Sequence, residues 1–394
     1  MLPAPLAAAV TPTRGAGLAA RVGIALGVAV AVCFCTGLIS HWIQHPPGWF
    51  AWPVHPVSLY RVTQGAHVIS GVVAIPLVLV KLWAVYPRLF ARPLLGNPLR
   101  LLERGSIALL VGAILFQLVT GLFNTAQFYP WKFFFTTTHY AMAYVAAGAL
   151  LVHLAVKLPV VRAALARPED DRPAPAVAHS VAPAHSAASP SKMTAGQPIA
   201  RRALLTAAGI GAAVAALSVA GQTIPYLRWL AILSPRSGQG PQGVPVNRTA
   251  AAAGVSDRAR AADYRLTVDI GGDRREFTRA DLEALPQVTA DLPIACVEGW
   301  SAAARWTGVR LRDLLATVGP YPDRDVRFES LETGGIYRTS ILPARHVRAP
   351  DTLVALRLNG EDLVLDHGYP CRLIAPNRPG VLQTKWLSRI EVLA

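Results

Sequence analysis

Two kinds of side chain in this sequence could do chemistry. One is a cysteine, Cys296, set in LPIACVEGWSAAARWTG between an apolar run and Glu-Gly-Trp. Among the four cysteines it belongs to no CxxC pair and to no zinc-finger spacing. A thiolate is a soft ligand for a transition metal, and a single one serves where a cofactor brings the other donors. The other kind is histidine inside apolar sequence: His67 in RVTQGAHVISG, His139 in TTTHYAMAYV and His153 fourteen residues later. Ionisable groups are costly within a bilayer, so they mark function. Two facing imidazoles at one depth in a helix bundle make a bis-histidine haem site.

A bilayer is expected because 53% of the 394 residues are hydrophobic and only 15% are charged, too apolar for a soluble chain of this length. Five apolar segments are about as long as a membrane-crossing helix, roughly 20 residues. They are Val22 to Trp42, Val62 to Tyr86, Ser106 to Phe128, Phe134 to Leu158 and Ala203 to Ile224. The net charge of +15 does not point to nucleic acid, because the basic residues are scattered between these segments without interleaved aromatics. Instead they obey a topology rule. Arg14 and Arg21, then Arg88, Arg92, Arg100 and Arg104, then Arg162, Arg167, Arg172, Lys192, Arg201 and Arg202 fall on one side, which is cytoplasmic. The chain after Thr223 is therefore expected outside.

Five divisions follow: a cytoplasmic tail (1–21), a four-helix membrane domain (22–158), a cytoplasmic linker (159–200), a fifth transmembrane helix (201–224) and an extracytoplasmic domain (225–394). The linker is rich in Pro, Ala and Ser and cannot build a core, so His179 and His185 within it read as solvated. Arg201 and Arg202 before a mild Ala/Gly-rich helix fit a twin-arginine export signal kept as an anchor, or simply the positive-inside rule.

The second and fourth spans run in the same direction, which puts His67 and His139 at one depth near the outer surface. His153 lies about four turns further along its helix on the same face. The equivalent place in the second span holds Lys81 rather than histidine. His153 is thus open to a second haem with Lys81, a propionate contact, a quinone pocket or a plain hydrogen-bonded role. His41, His45 and His55, among Trp and Pro, read as interfacial. Cys33 and Cys35 fall on different faces of the first helix, which argues against a mutual disulfide.

The outer region alternates short strand patterns (YRLTVDI, DVRFESL, TLVALRL, SRIEVLA) with turn signals (IGGD, LNGED, NRPG), and reads as a mostly β, α+β fold. TRADLEAL and GVRLRDLLATVG read as short helices. Three stretches in order, CVEGWS, DHGYPCRLIAP and TKWLSRIEV, resemble the molybdenum-cofactor domain of the sulfite oxidase family, including the periplasmic methionine sulfoxide reductase catalytic subunit. The resemblance runs over residues 238–394 and implies that Cys296 binds the molybdenum of a molybdopterin. It further implies cofactor contacts from His367, Arg372, Lys385, Gln383 and Thr384, with Ser330 standing for a threonine and Asn247 in an N-terminal segment. An arginine fork suits the phosphate end of such a cofactor. Cys371 occupies a small apolar position and is expected in the core.

The membrane part is similar to the haem-bearing partner subunit of the periplasmic sulfoxide reductase, which implies haem b. Together these imply a multi-pass oxidoreductase of the cell membrane that links the quinone pool to oxygen-atom transfer on a small extracytoplasmic substrate, such as a sulfoxide. Two alternatives are a non-catalytic haem sensor or electron conduit, and a sulfite-type dehydrogenase running in the oxidative direction.

Overall fold

The structure, a computed structural model, describes residues 16–90, 98–166, 201–232 and 240–394. Arg14, Arg92, Arg167, Arg172, Lys192, His179, His185 and the expected linker from residue 167 onward lie outside the described residues. Five helices are long and apolar enough to cross a membrane: α1 (Ala16–Gln44), α2 (Leu59–Leu89), α3 (Pro98–Thr125), α4 (Phe135–Ala166) and α5 (Arg201–Ala220). They coincide with the five expected spans, with different ends. α4 continues through Pro159 to Ala166 instead of stopping at Leu158; the RAALA that follows the proline favours helix. α5 stops at Ala220, where Gly221 follows.

Two compact units divide the chain. The first comprises Met1–Val30, Val73–Leu118 and Ala141–Ala213. Its described part packs Leu18, Val22, Leu77 and Ala84 against Leu204, Leu205 and Ala212. Lys81 donates to the Ala19 carbonyl at 2.5 Å, and Lys157 pairs with Glu103.

The second unit comprises Ala31–Val72, Val119–Tyr140 and Val214–Ala394. Its C-terminal part holds β1 (Leu266–Ile270), β2 (Asp273–Phe277), β3 (Gln287–Asp291), β4 (Ile294–Ala295), β5 (Ser301–Ala302) and β6 (Arg305–Arg310). After these come β7 (Val326–Ser330), β8 (Thr339–Leu342), β9 (Leu353–Leu358), β10 (Glu361–Asp362), β11 (Arg372–Ile374) and β12 (Leu387–Val392). One sheet has the order β2-β1-β12-β7-β8; a second runs β10-β9-β6-β3 with β11 also on β9. β1 and β12 are parallel, with Val268 beside Ile390. Both sheets feed one core, in which Leu266, Val268, Phe328 and Ile390 of the first meet Val309, Val354, Leu356 and Leu373 of the second. Alternation along β7 explains its share, since Val326 and Phe328 point inward while Arg327 and Glu329 do not.

The short helices follow their signals. Thr278 caps α6 (Arg279–Ala284 in the sheet-bearing part) through a reciprocal bond set with Asp281. The stretch GVRLRDLLATVG departs from the helical expectation at its start. Gly308 to Arg310 belong to β6, held between β3 and β9, and only Leu311–Ala316 is helical. Leu311, Leu314 and Leu315 then bury one face at helical spacing.

Phe328→Ala is expected to cost roughly 3–5 kcal/mol in equilibrium denaturation of the full chain, while Ile341→Ala, at an exposed position, should change it by no more than about 0.5 kcal/mol.

Candidate functional site

Cys296 stands in a tight turn between β4 and β5. Its amide donates to the Trp300 carbonyl at 2.9 Å, and the Gly299 amide donates back to the Cys296 carbonyl at 3.0 Å. Gly299 has φ +97°, and a Cβ there would come within 2.6 Å of Val68 on α2. Conformation and contact therefore both require glycine in CVEGW. The indole of Trp300 donates to Glu298 at 2.8 Å, which closes the turn.

The thiol, 1% exposed, faces a narrow cleft that also takes in Asn247, Trp300, His367, Arg372 and Lys385. These elements are far apart in sequence: His367 ends a single 3-10 turn, Arg372 opens β11 and Lys385 precedes β12. Gly368, at φ +108°, lets them approach, since a Cβ there would lie 3.0 Å from the Arg372 Cβ and 3.2 Å from that of Lys385.

Positive charge dominates the cleft. Arg372 is 3% exposed and donates to the carbonyls of His367 (3.0 Å) and Gln383 (3.1 Å). Its Nε has no partner, and among the described residues no carboxylate pairs with it. Burial pushes its guanidinium down to about 9. Lys385 donates to the Arg248 and Asp366 carbonyls at 2.5 and 3.0 Å. Burial first, then the charge of Arg372, pushes its amine down to about 7. His367 donates from Nε2 to the Pro241 carbonyl at 2.7 Å, and burial holds it down to about 4, so it is neutral at pH 7. Buried cations without a counter-charge are expensive. A phosphate in the cleft would compensate both, and the soft Cys296 sulfur beside them suits molybdenum. The residues therefore fit a phosphate-bearing molybdenum cofactor.

Residues 252–394 match the family model described as the oxidoreductase molybdopterin binding domain. This part of the chain is a molybdopterin-binding oxidoreductase domain. YedZ1 of Azospira oryzae, named as a protein-methionine-sulfoxide reductase subunit, is 34% identical over 133 residues, 34% of this chain and 50% of that protein. Mitochondrial sulfite oxidase of Drosophila melanogaster is 33% identical over 155 residues, covering 33% and 27%. Its Homo sapiens counterpart is 39% identical over 140 residues, covering 33% and 24%. The chain spans half or less of the length of these relatives.

Of the other expected contacts in this domain, one lines the cleft and three do not. Asn247 lines the cleft, with its Oδ1 accepting from the Arg248 amide at 2.9 Å. Gln383 is committed to the Ala375 amide and the Arg378 carbonyl. Thr384 shares a 2.7 Å bond with Ser340, and Ser330 accepts from the Glu332 amide. These three brace the cleft's backbone and do not line it. Cys371 is fully buried beside the Tyr264 hydroxyl, as a core position should be. Tyr337 went unnoticed in the sequence. It is half-buried, and burial together with the nearby Cys296 and Glu298 raises its phenol.

The helical part of the same unit brings His67 and His139 together, with ring centres 6.4 Å apart. Imidazoles on opposite sides of one metal, each nitrogen about 2 Å from it, have ring centres about 6 Å apart. His67 Nδ1 lies 2.9 Å from the Cys33 carbonyl; a carbonyl only accepts, so Nδ1 carries the proton and Nε2 is left as the ligating nitrogen. His139 Nδ1 lies 3.1 Å from the Thr120 hydroxyl. Gly37 packs against the His67 ring, where a Cβ would be 3.1 Å from Cε1. His153 belongs to the first unit, where it is the only histidine among the described residues. His41 stacks on Tyr140 at 3.6 Å and neighbours His45 at 4.9 Å.

Because the Lys385 amine is depressed from 10.5 to about 7, the unfolded chain binds more protons than the folded one between these values. Stability of the cofactor-free protein should rise as pH climbs from about 7 toward 10. Thermal unfolding should show this rise in the native chain and a flatter profile in Lys385→Met.

Proposed function

We propose that the chain is a membrane-bound oxidoreductase in which a haem b, held by His67 and His139, exchanges electrons with the molybdenum cofactor at Cys296 and with the quinone pool. The observation that carries this reading is the histidine pair, spaced for one shared iron and located in the same compact unit as the Cys296 cleft. When bound, the molybdenum supplies two-electron oxygen-atom transfer. A sulfoxide would take two electrons and two protons to give a sulfide and water, with a quinol oxidised to quinone as the source. Arg372 and Lys385 would hold the cofactor's phosphate, Cys296 would bind its metal, and His367 would offer a neutral, fixed ring beside it.

The name of the YedZ1 relative favours sulfoxide as substrate. The sulfite oxidase relatives favour a second reading, a sulfite-type dehydrogenase that uses the same ligands with electrons flowing the other way. A non-catalytic haem sensor or conduit is the weaker alternative, because a chain without the cofactor would gain nothing from a buried arginine that no carboxylate among the described residues pairs, with a lysine close beside it.

Sidedness is proposed from the arginines: Arg88, Arg100, Arg104, Arg162 and Arg202 mark the cytoplasmic ends, so the molybdenum domain is extracytoplasmic. The five divisions read from the sequence stand as the proposed domain plan, with Arg201 and Arg202 as a twin-arginine-like start of the anchor. Asn247 is a proposed pterin contact through the cleft it lines, and Ser330, Gln383 and Thr384 are proposed to support that contact through the backbone. His153 is proposed as a quinone site rather than a second haem ligand, since Lys81 is engaged by the Ala19 carbonyl.

Removing either imidazole separates haem loading from molybdenum loading. His67→Ala and His139→Ala should each lose the low-spin haem spectrum and keep molybdenum; unchanged haem content in either variant rejects the pair. Cys296→Ser should abolish turnover of methionine sulfoxide and of sulfite with the haem spectrum intact, and full activity in that variant rejects the metal ligand.

A further inference from the structure

One carbonyl joins the cysteine turn to both histidine-bearing regions. The Val297 oxygen accepts from Gln64 Nε2 at 3.0 Å and from Asn124 Nδ2 at 3.3 Å. Both amides are buried, at 6% and 8% exposure, in helices that the sequence marks as membrane spans. A buried amide in such a place is costly unless its bonds are made. Gln64 lies one turn before His67 on α2. Asn124 lies one turn after Thr120 on α3, and the Thr120 hydroxyl touches His139 Nδ1 at 3.1 Å. Asn124 is itself oriented by the Tyr129 hydroxyl, which donates to its Oδ1 at 2.9 Å. The accepting carbonyl belongs to the residue directly after Cys296. A short run of covalent and hydrogen bonds therefore leads from the proposed metal thiolate to the helical turn beside each proposed iron ligand.

We infer that Gln64 and Asn124 are positioning residues that clamp the Val297–Glu298 peptide of the cysteine turn onto the histidine pair and supply the through-bond electron path between the two redox centres. The inference rests on the haem reading above. The step it serves moves one electron between the centres, with no bond made or broken. Two such passages match the two-electron substrate reaction, with quinol as the reductant and a sulfoxide as the oxidant, or sulfite as the reductant and quinone as the oxidant. Two donors on one carbonyl also fill both its lone pairs, so the turn can neither rotate nor lift without losing both bonds.

The test uses the full chain in detergent, comparing the native sequence with Gln64→Leu, Asn124→Leu and the double variant. The first readout is amide hydrogen exchange of residues 294–302, which needs neither turnover nor haem. Loss of two buried hydrogen bonds should speed that exchange roughly tenfold or more in the double variant, with smaller effects in each single variant. Unchanged exchange overturns the clamp. The second readout is stopped-flow haem absorbance after mixing dithionite-reduced protein with methionine sulfoxide, or oxidised protein with sulfite. The expected result is loss of the fast phase with haem and molybdenum content retained. Faster exchange with an unaltered fast phase overturns the electron path and leaves the amides as mechanical ties. A native protein that binds no haem fails the reading in the preceding subsection, and the exchange result still decides the clamp.

Discussion

Buried positive charge without a counter-charge is the constraint around which the C-terminal domain is arranged. Arg372 and Lys385 sit close together, with carbonyl oxygens as their hydrogen-bond acceptors and the Trp306 and Trp386 rings beneath their charges, and burial lowers the pKa of each. A fold bears the cost of such burial when its frame is stiff. Here two sheets meet in one core, β11 carries the arginine, the lysine lies just before β12, and a side chain at Gly368 would crowd both. Gln383 and Thr384 brace the backbone between them, so the cations cannot swing outward to water. The cleft is in this sense prepared for an anion.

A second constraint acts on the cysteine. Its turn must hold a thiol at the cleft while its outer side lies against a helix, and Gly299 meets Val68 at a distance that admits no side chain. The Ser301 amide and hydroxyl both donate to the Gln222 carbonyl beyond the end of α5, and Arg61 donates to the Thr223 carbonyl. Nearby, Asn377 bonds the Tyr60 amide, the Trp52 indole and the Pro53 carbonyl. The cysteine turn is thus tied to helix ends on several sides, and its geometry is inseparable from theirs.

Much of this was legible in the sequence where residue type alone dictates chemistry. A lone cysteine in CVEGW, an arginine after DHGYPC and histidines in apolar helices each have few physical uses, and one cleft takes in the first two. The five spans were legible from length and composition. The partners of Gln64 and Asn124 were not, because their bonds to Val297 bridge separations of 233 and 173 residues and depend on tertiary packing. Their presence in apolar spans was the only available signal. Gln383 shows the converse: a motif position expected at the cofactor spends both its side-chain groups on the backbone. The β6 boundary was missed because pairing with β3 and β9 overrides the local helical pattern after Gly308.

The central claim is that one chain carries a molybdenum centre and a bis-histidine haem as a coupled pair. The most direct test is the molybdenum and haem content of a single detergent-purified sample of the full chain, by mass spectrometry for the metal and a pyridine adduct spectrum for the haem. The account predicts about one of each per chain, from the Cys296 cleft and the His67–His139 pair. Haem without molybdenum, or molybdenum without haem, would contradict it.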